Sequence, residues 1–270
     1  MTLLKRRNRN LLNNLCLTIG LVFIYCSAAN GQPAGTTNFY SQIKTYNLSS
    51  LWHGEQLKLI SLKETKPFPE PFGVVGSNYL RFYIHYSSIV KDALKPYQYN
   101  VAGKTRIGKQ IRSFKGTITV TQAGIFKPGP NNPYAPDSYK GFKRGKLLCR
   151  IVLQDAGSTP TEKIISGELT TDFCINAQNQ LLYDTLDFGI DGYGNNQFTG
   201  TWKSPGTKTV QKLQFGDFTI LDSPFSEVDG ITVPPEYEKY GWQSFVQAIP
   251  NDFGPASKAA IAEEKRQWWK

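Results

Sequence analysis

At 270 residues and 30.3 kDa, with 40% hydrophobic content, the chain can bury a substantial core, which excludes a disordered protein. Charged residues are sparse at 19% and aromatics reach 13%, and 24 Gly and 16 Pro favour strands and turns, so an all-β body is the first expectation. The net charge of +10 is spread along the chain.

Residues 1–31 predict an export signal. Lys5, Arg6, Arg7 and Arg9 form a positive head, 15–25 is an apolar run, and Ser27-Ala28-Ala29-Asn30-Gly31 supplies small residues for cleavage. The cut is placed after Gly31, with a cut after Ala28 as the runner-up. Bulky Ile24 and Tyr25 before Cys26 argue against a lipid anchor. No later stretch approaches the roughly 18 apolar residues of a membrane helix. The mature chain is therefore expected to be soluble and exported, periplasmic or secreted, without a transmembrane span, and nucleic acid is set aside as a partner. Loss of the four cations lowers the net charge to +6. What remains is densest at 104–115 and 140–146, which suits an acidic polysaccharide or an anionic envelope surface, and suits solvated strand faces as well. Two cysteines leave with the signal; Cys149 and Cys174 remain, as a disulfide or as two buried thiols.

In chain order, 32–37 reads as a polar leader and 38–52 as an irregular strand or a short helix. Residues 57–62 alternate as a strand, and the prolines of 66–73 predict a rigid loop. Residues 79–88 place Leu80, Phe82, Ile84 and Tyr86 on one strand face and Tyr79, Arg81, Tyr83 and His85 on the other. Strands follow at 97–107, broken at Gly103, and at 111–126, then a long loop over 127–145. Residues 147–154, 163–175 and 181–186 are strands, with a tight turn at 176–179. The central strand is 195–204, in which Phe198, Gly200, Trp202 and Ser204 alternate with Gln197, Thr199, Thr201 and Lys203. After a turn at Pro205-Gly206 comes a strand at 209–213, which 215–221 continues after a bulge at Gly216, then a loop at 223–235 and helices at 236–249 and 256–270.

Gly116, Gly167 and Gly200 each follow a bulky residue at the same step of a strand, which predicts one bend used three times in a curled or closed sheet. The expected fold is mainly β: a curled antiparallel sheet forming a calycin-like barrel or a two-layer sandwich, with C-terminal helices. No composition break divides it. Residues 32–222 form the β domain, and 223–270 pack on the same domain as loop and helices. Trp202, flanked by Gly200 and Ser204 on its face, is expected to be a buried anchor.

The motif Gly-Asn-Asn-Gln-Phe-Thr-Gly-Thr-Trp-Lys-Ser at 194–204 resembles a family of uncharacterised exported proteins of Gram-negative bacteria. Leu-Arg-Phe-Tyr-Ile-His-Tyr-Ser-Ser-Ile-Val-Lys at 80–91, Tyr-Asn-Val-Ala-Gly-Lys-Thr at 99–105 and Tyr-Gly-Trp at 240–242 extend the likeness over most of the mature chain. The resemblance implies export and a common fold, and no chemistry. Where relatives carry a cysteine and tryptophan before Gly-Asp, this chain has Gln214-Phe215-Gly216-Asp217, so a role for that cysteine does not carry over. Locally, Phe-Thr-Gly-Thr-Trp is similar to the Gly-x-Trp of lipocalin and avidin-type barrels, where the motif lies near the start rather than late.

Candidate sites are few. Asp187, Asp191 and Asn195, among Gly189, Gly192 and Gly194, are candidate Ca²⁺ ligands, although a glycine-rich turn with Asx caps explains the same letters and no metal is assigned. Neither a Gly-x-Ser-x-Gly elbow nor a cofactor motif is present, and no cofactor is expected. Asp184, Asp187, Glu168 and Asp172 are candidates for glycosidase-type paired carboxylates. The ligand-binding residues assigned are Tyr79, Arg81, Tyr83 and His85. Tyr97, Tyr99, Trp202, Trp242, Trp268 and Trp269 add an aromatic excess that suits sugars or apolar ligands, and also suits a core. The expected function is a non-enzymatic exported binding protein for a small apolar or sugar-like ligand. The alternatives are a carbohydrate-active hydrolase and an envelope-associated structural protein.

Overall fold

The computed structural model describes residues 32–127, 141–157, 162–204, 206–221, 223–227, 230–250 and 254–270. The predicted export signal lies outside the described residues, as does most of the predicted loop at 127–145. Strand accounts for 48% of the structure and helix for 13%, so the molecule is mainly β.

Apart from a hairpin of two-residue strands at Ser226–Glu227 and Gly230–Ile231, twelve strands among the described residues build the body. They are β1 (Thr36–Asn38), β2 (Gln56–Leu59), β3 (Glu64–Pro67), β4 (Phe72–Val75), β5 (Leu80–Lys91), β6 (Gln98–Ile107), β7 (Gln110–Phe126), β8 (Lys143–Asp155), β9 (Lys163–Ile175), β10 (Leu181–Tyr183), β11 (Asn195–Lys203) and β12 (Val210–Asp217). Eight of them close a ring in which every pairing is antiparallel: β4-β5-β6-β7-β8-β9-β11-β12, with β12 returning to β4. The fold is a closed barrel, and the sandwich alternative falls away. Strands β1 and β10 extend the sheet at the ends of β7 and β9, beyond the reach of β6 and β11. Strands β2 and β3 form a separate hairpin.

The closing strand corrects the sequence reading. Residues 66–73 were expected to be loop, yet Lys66 and Pro67 end β3, and Phe72 and Gly73 begin β4, where Gly73 lies opposite Phe215 and Phe82. Pro67, Pro69 and Pro71 all precede it, so no ladder donor is missing from the barrel itself. The break expected at Gly103 is absent, and β6 runs through it. The 209–213 strand does continue through 215–217 as β12, but it stops at Asp217, short of Leu221, and Phe218 follows with φ 69°.

Inward side chains fill the barrel. Phe82, Ile84 and Tyr86 of β5, Phe114 and Ile118 of β7, Ile151 and Leu153 of β8, and Phe198 and Phe215 belong to one buried cluster. Phe198 stacks on Phe215 at 4.5 Å and 13°. Thr199 and Thr201 face out, exposed. The three glycines sit where the alternation predicted: Gly200 lies opposite Gly167, and Gly116 lies opposite Leu153. A Cβ on Gly167 or Gly200 would collide with the facing backbone and with the Phe198 ring, so hydrogen at both positions is what lets the strands curl over that ring. Trp202 shares the inward face and packs on the core but is only half-buried, which corrects the expected full burial. It stands one residue from the end of β11, at the barrel rim.

The other end is stoppered by the N-terminal segment. Ile43, Leu48, Leu51 and Trp52 are buried in the same core. The Leu48 N–H donates to Tyr99 Oη at 3.0 Å, and Trp52 Nε1 donates to Thr171 Oγ1 at 2.9 Å. Helix α1 (Tyr40–Ile43) settles the ambiguity of 38–52 as a short helix after a three-residue strand. Cys149 lies inside the barrel, whereas Cys174 is buried on the outer side under Leu186, Ile60, Phe142 and Leu182; both are free thiols. The C-terminal region forms α2 (Pro235–Tyr237), a wide turn at Glu238–Trp242, α3 (Gln243–Gln247) and α4 (Lys258–Glu264). Among the described residues no helix is long and apolar enough to cross a membrane.

Candidate binding cleft on the barrel wall

Because Phe82, Ile84 and Tyr86 of β5 point inward, Arg81, Tyr83 and His85 must point out. The C-terminal segment lies across this outer face. Arg81 Nη1 and Nη2 bind the two carboxylate oxygens of Glu264 at 2.8 and 2.6 Å. Its guanidinium sits over the rings of Tyr83, Trp242 and Phe245, at 4.5, 4.8 and 5.2 Å. Gly241, at φ 97°, makes this approach possible; a Cβ there would press on Arg81 Cβ at 3.2 Å. Tyr79 precedes β5, packs against Phe225 and Tyr237, and accepts the Trp242 Nε1–H on its carbonyl at 2.9 Å.

On the neighbouring strand Arg106 is opposite Tyr83 and stands over its ring at 4.0 Å, while its Nη1 binds Glu263 at 3.0 Å. Arg266 and Arg106 together hold the Glu263 carboxyl down to about 2. Burial pushes the Tyr83 hydroxyl up against the opposing pull of Arg81 and Arg106. His85 stacks flat on Trp269 at 4.2 Å and 9°, and its Nδ1 is 3.0 Å from both Glu70 oxygens. His53 faces it at 6.3 Å, and burial, with His85 second, lowers the His53 pKa.

The four residues assigned to ligand binding thus lie along one wall, and the chain's own C-terminal segment covers most of it. What stays open is a cleft of about 720 Å³ between that wall and α3–α4. Arg81, Tyr83 and Arg106 form its floor, Lys109 and Ile111 one side, and Gln243, Gln247, Ala259, Glu263 and Arg266 the other. Sequence reasoning found Arg81 and Tyr83 here through strand alternation. Arg106 and Lys109 lie in the basic stretch noted at 104–115, but their meeting with Arg81 and with Arg266, brought about by strand register and helix docking, was not legible in the sequence.

A second, smaller cleft of about 220 Å³ gathers Asp172, Asp184, Asp187 and Asp191 with Arg144 and Tyr193. Three of the four candidate hydrolase carboxylates meet here; Glu168 does not, standing exposed between Arg150 and Thr199. Arg144 Nε binds Asp184 at 2.7 Å and its Nη2 binds Asp187 at 2.6 Å, while Lys146 lies 3.4 Å from Asp172. Burial raises the pKa of both Asp172 and Asp184. Asn195, the third candidate Ca²⁺ ligand, is buried and occupied structurally: its Oδ1 accepts from the Asp172 and Asn196 N–H groups and its Nδ2 donates to the Asp172 carbonyl. Among the described residues no group of three or more His, Cys, Asp or Glu side chains is arranged to hold a metal.

No family model, curated protein or solved structure matches the chain, so its function is argued from this geometry.

Proposed function

We propose that the chain is an exported, non-enzymatic binding protein whose small polar ligand lodges between the barrel wall and helices α3–α4. The observation that carries the reading is that the interior is filled by side chains while the roomiest of the described clefts opens on the Arg81–Tyr83 face. A volume of about 720 Å³ falls within the roughly 300–1,000 Å³ usual for small-molecule sites. A filled barrel makes an enclosed apolar ligand the poorer fit, and the arginines and glutamines in the cleft lining favour the sugar-like alternative. Ligand copurifying with the native protein, identified by mass spectrometry, tests the reading. Ala259→Trp, at an exposed helical position on the cleft's edge, fills the space without touching the core. That variant should lose the ligand; retention would place binding elsewhere.

One observation favours a carbohydrate-active hydrolase as a second reading. Asp172 and Asp184 have raised pKa values within one open cleft, as a general acid requires. Against it, Asp184 and Asp187 are clamped by one guanidinium, the arrangement of a structural ion-pair network. Release of reducing ends from oligosaccharides, abolished by Asp172→Asn, would establish the enzyme.

A further inference from the structure

We infer that the ligand of the wall cleft is an acidic oligosaccharide, a short oligomer of uronic acid, held by its carboxylates; this rests on the binding reading above. Charge is the first argument. Arg81, Arg106, Lys109 and Arg266 line the cleft against Glu263, with Glu264 bound to Arg81. Arg106 and Arg266 share the single carboxylate of Glu263. Lys109, on the β6–β7 turn, has no ion-pair partner among the described residues. The cations therefore outnumber the acids, and they are distributed along the cleft rather than focused on one point.

The second argument is unmet hydrogen bonding. Arg81 and Arg106 are only 4% and 7% exposed, yet the Nε–H of each has no acceptor among the described residues. A buried guanidinium N–H without an acceptor is costly, and a carboxylate oxygen is the acceptor it matches best. Among the neutral lining residues, the Gln243 and Gln247 amides supply donors and acceptors suited to sugar hydroxyls.

The third argument separates ligand classes. Two guanidiniums and Trp268 already pack on Tyr83, which leaves no open aromatic platform among the described residues of the cleft. A nucleobase or a neutral sugar draws much of its binding from such a face. A polyhydroxy acid does not need one, and its charges at ring spacing suit cations set out along a groove.

The test is calorimetric titration of the purified protein with a tetramer of galacturonic acid and, separately, with its fully methyl-esterified form, which keeps the rings and removes the charges. The acid should bind at least about tenfold tighter than the ester, and its affinity should fall as salt rises. Lys109→Glu, at an exposed turn, should weaken the acid by about tenfold or more, and Ala259→Trp should abolish binding. Equal affinity for acid and ester, both lost in Ala259→Trp, overturns the acid assignment and leaves the cleft standing. Binding of the acid that neither substitution changes is diffuse surface attraction, and it overturns the cleft as well. Full competition by orthophosphate at matched charge, or no binding of either tetramer, rejects the saccharide.

Discussion

Asp217 shows how one residue links the barrel's interior to solution conditions. Its Oδ2 accepts from Asn196 Nδ2 at 2.7 Å and from the Tyr183 hydroxyl at 2.9 Å, while Oδ1 has no partner among the described residues. Burial pushes the carboxyl up to about 7, against the opposing effect of those two bonds. The unfolded chain ionises near 3.8, so between that pH and about 7 the folded form holds a proton the unfolded form has released. Folding stability from this group is greatest below about 4 and is lost as pH rises through about 7. Urea unfolding at pH 5 and pH 8 should show that loss, and Asp217→Asn should remove it; an unchanged pH dependence in the variant would sink the assignment. Packing gives a second prediction at this scale. Phe198 is fully buried, so Phe198→Ala should cost about 3–5 kcal/mol, whereas half-buried Trp202 should cost clearly less when truncated. Urea midpoints in the reverse order would mean that the rim around Trp202 is as tight as the core. The sequence pattern placed Trp202 on the correct face. Its depth depends on where β11 meets the rim, which alternation alone does not encode.

The C-terminal segment is the element on which the candidate site depends. It grips the wall through Arg81–Glu264 and Arg106–Glu263, through Trp242 in a second buried cluster with Val74 and Phe225, and through the His85–Trp269 stack. Glu264→Ala strands the Arg81 guanidinium with its main acceptor removed. For a fully buried pair that costs about 3–5 kcal/mol; Glu264 is 21% exposed, so a smaller loss is expected here. The variant should expose residues 258–270 to limited proteolysis while the barrel stays intact. Pairing it with Arg81→Met should restore part of the protection, because no charge is then left buried alone. Equal protection of all three proteins would show that the aromatic contacts hold the segment by themselves. The same element marks how far the site was legible. Alternation in β5 singled out Tyr79, Arg81, Tyr83 and His85, since period two is a local property. Their partners lie about 160–185 residues further on, and nothing local announces that Glu264 and Trp269 return to this wall. The barrel was legible through Gly116, Gly167 and Gly200, which had to be small to let strands curl. Its closure was not, because β4 is four residues long and sits behind three prolines, a composition that reads as loop.

At the scale of the whole molecule, the two thiols among the described residues, Cys149 and Cys174, report separate modes of opening. Cys149 is inside the barrel, fully buried among strands that hydrogen-bond on both sides, so a reagent reaches it only when the ring itself opens. Cys174 is just as buried, but its cover is the small satellite of Ile60, Phe142, Leu182 and Leu186 laid over the outside of β9. Burial raises the pKa of both, so neither differs usefully in intrinsic reactivity and access sets the rate. A satellite cluster with few apolar partners belongs at the low-stability end of a structure, and a closed ring belongs near the global limit. With a thiol reagent in excess at fixed pH, Cys174 should label first, at a rate nearly independent of dilute denaturant. Cys149 should label slowly, with a denaturant slope equal to that of global unfolding. Cys174→Ser isolates the slow phase and Cys149→Val the fast one. If both cysteines label in step, the outer cover and the barrel unfold as one cooperative unit, and the distinction drawn between them fails.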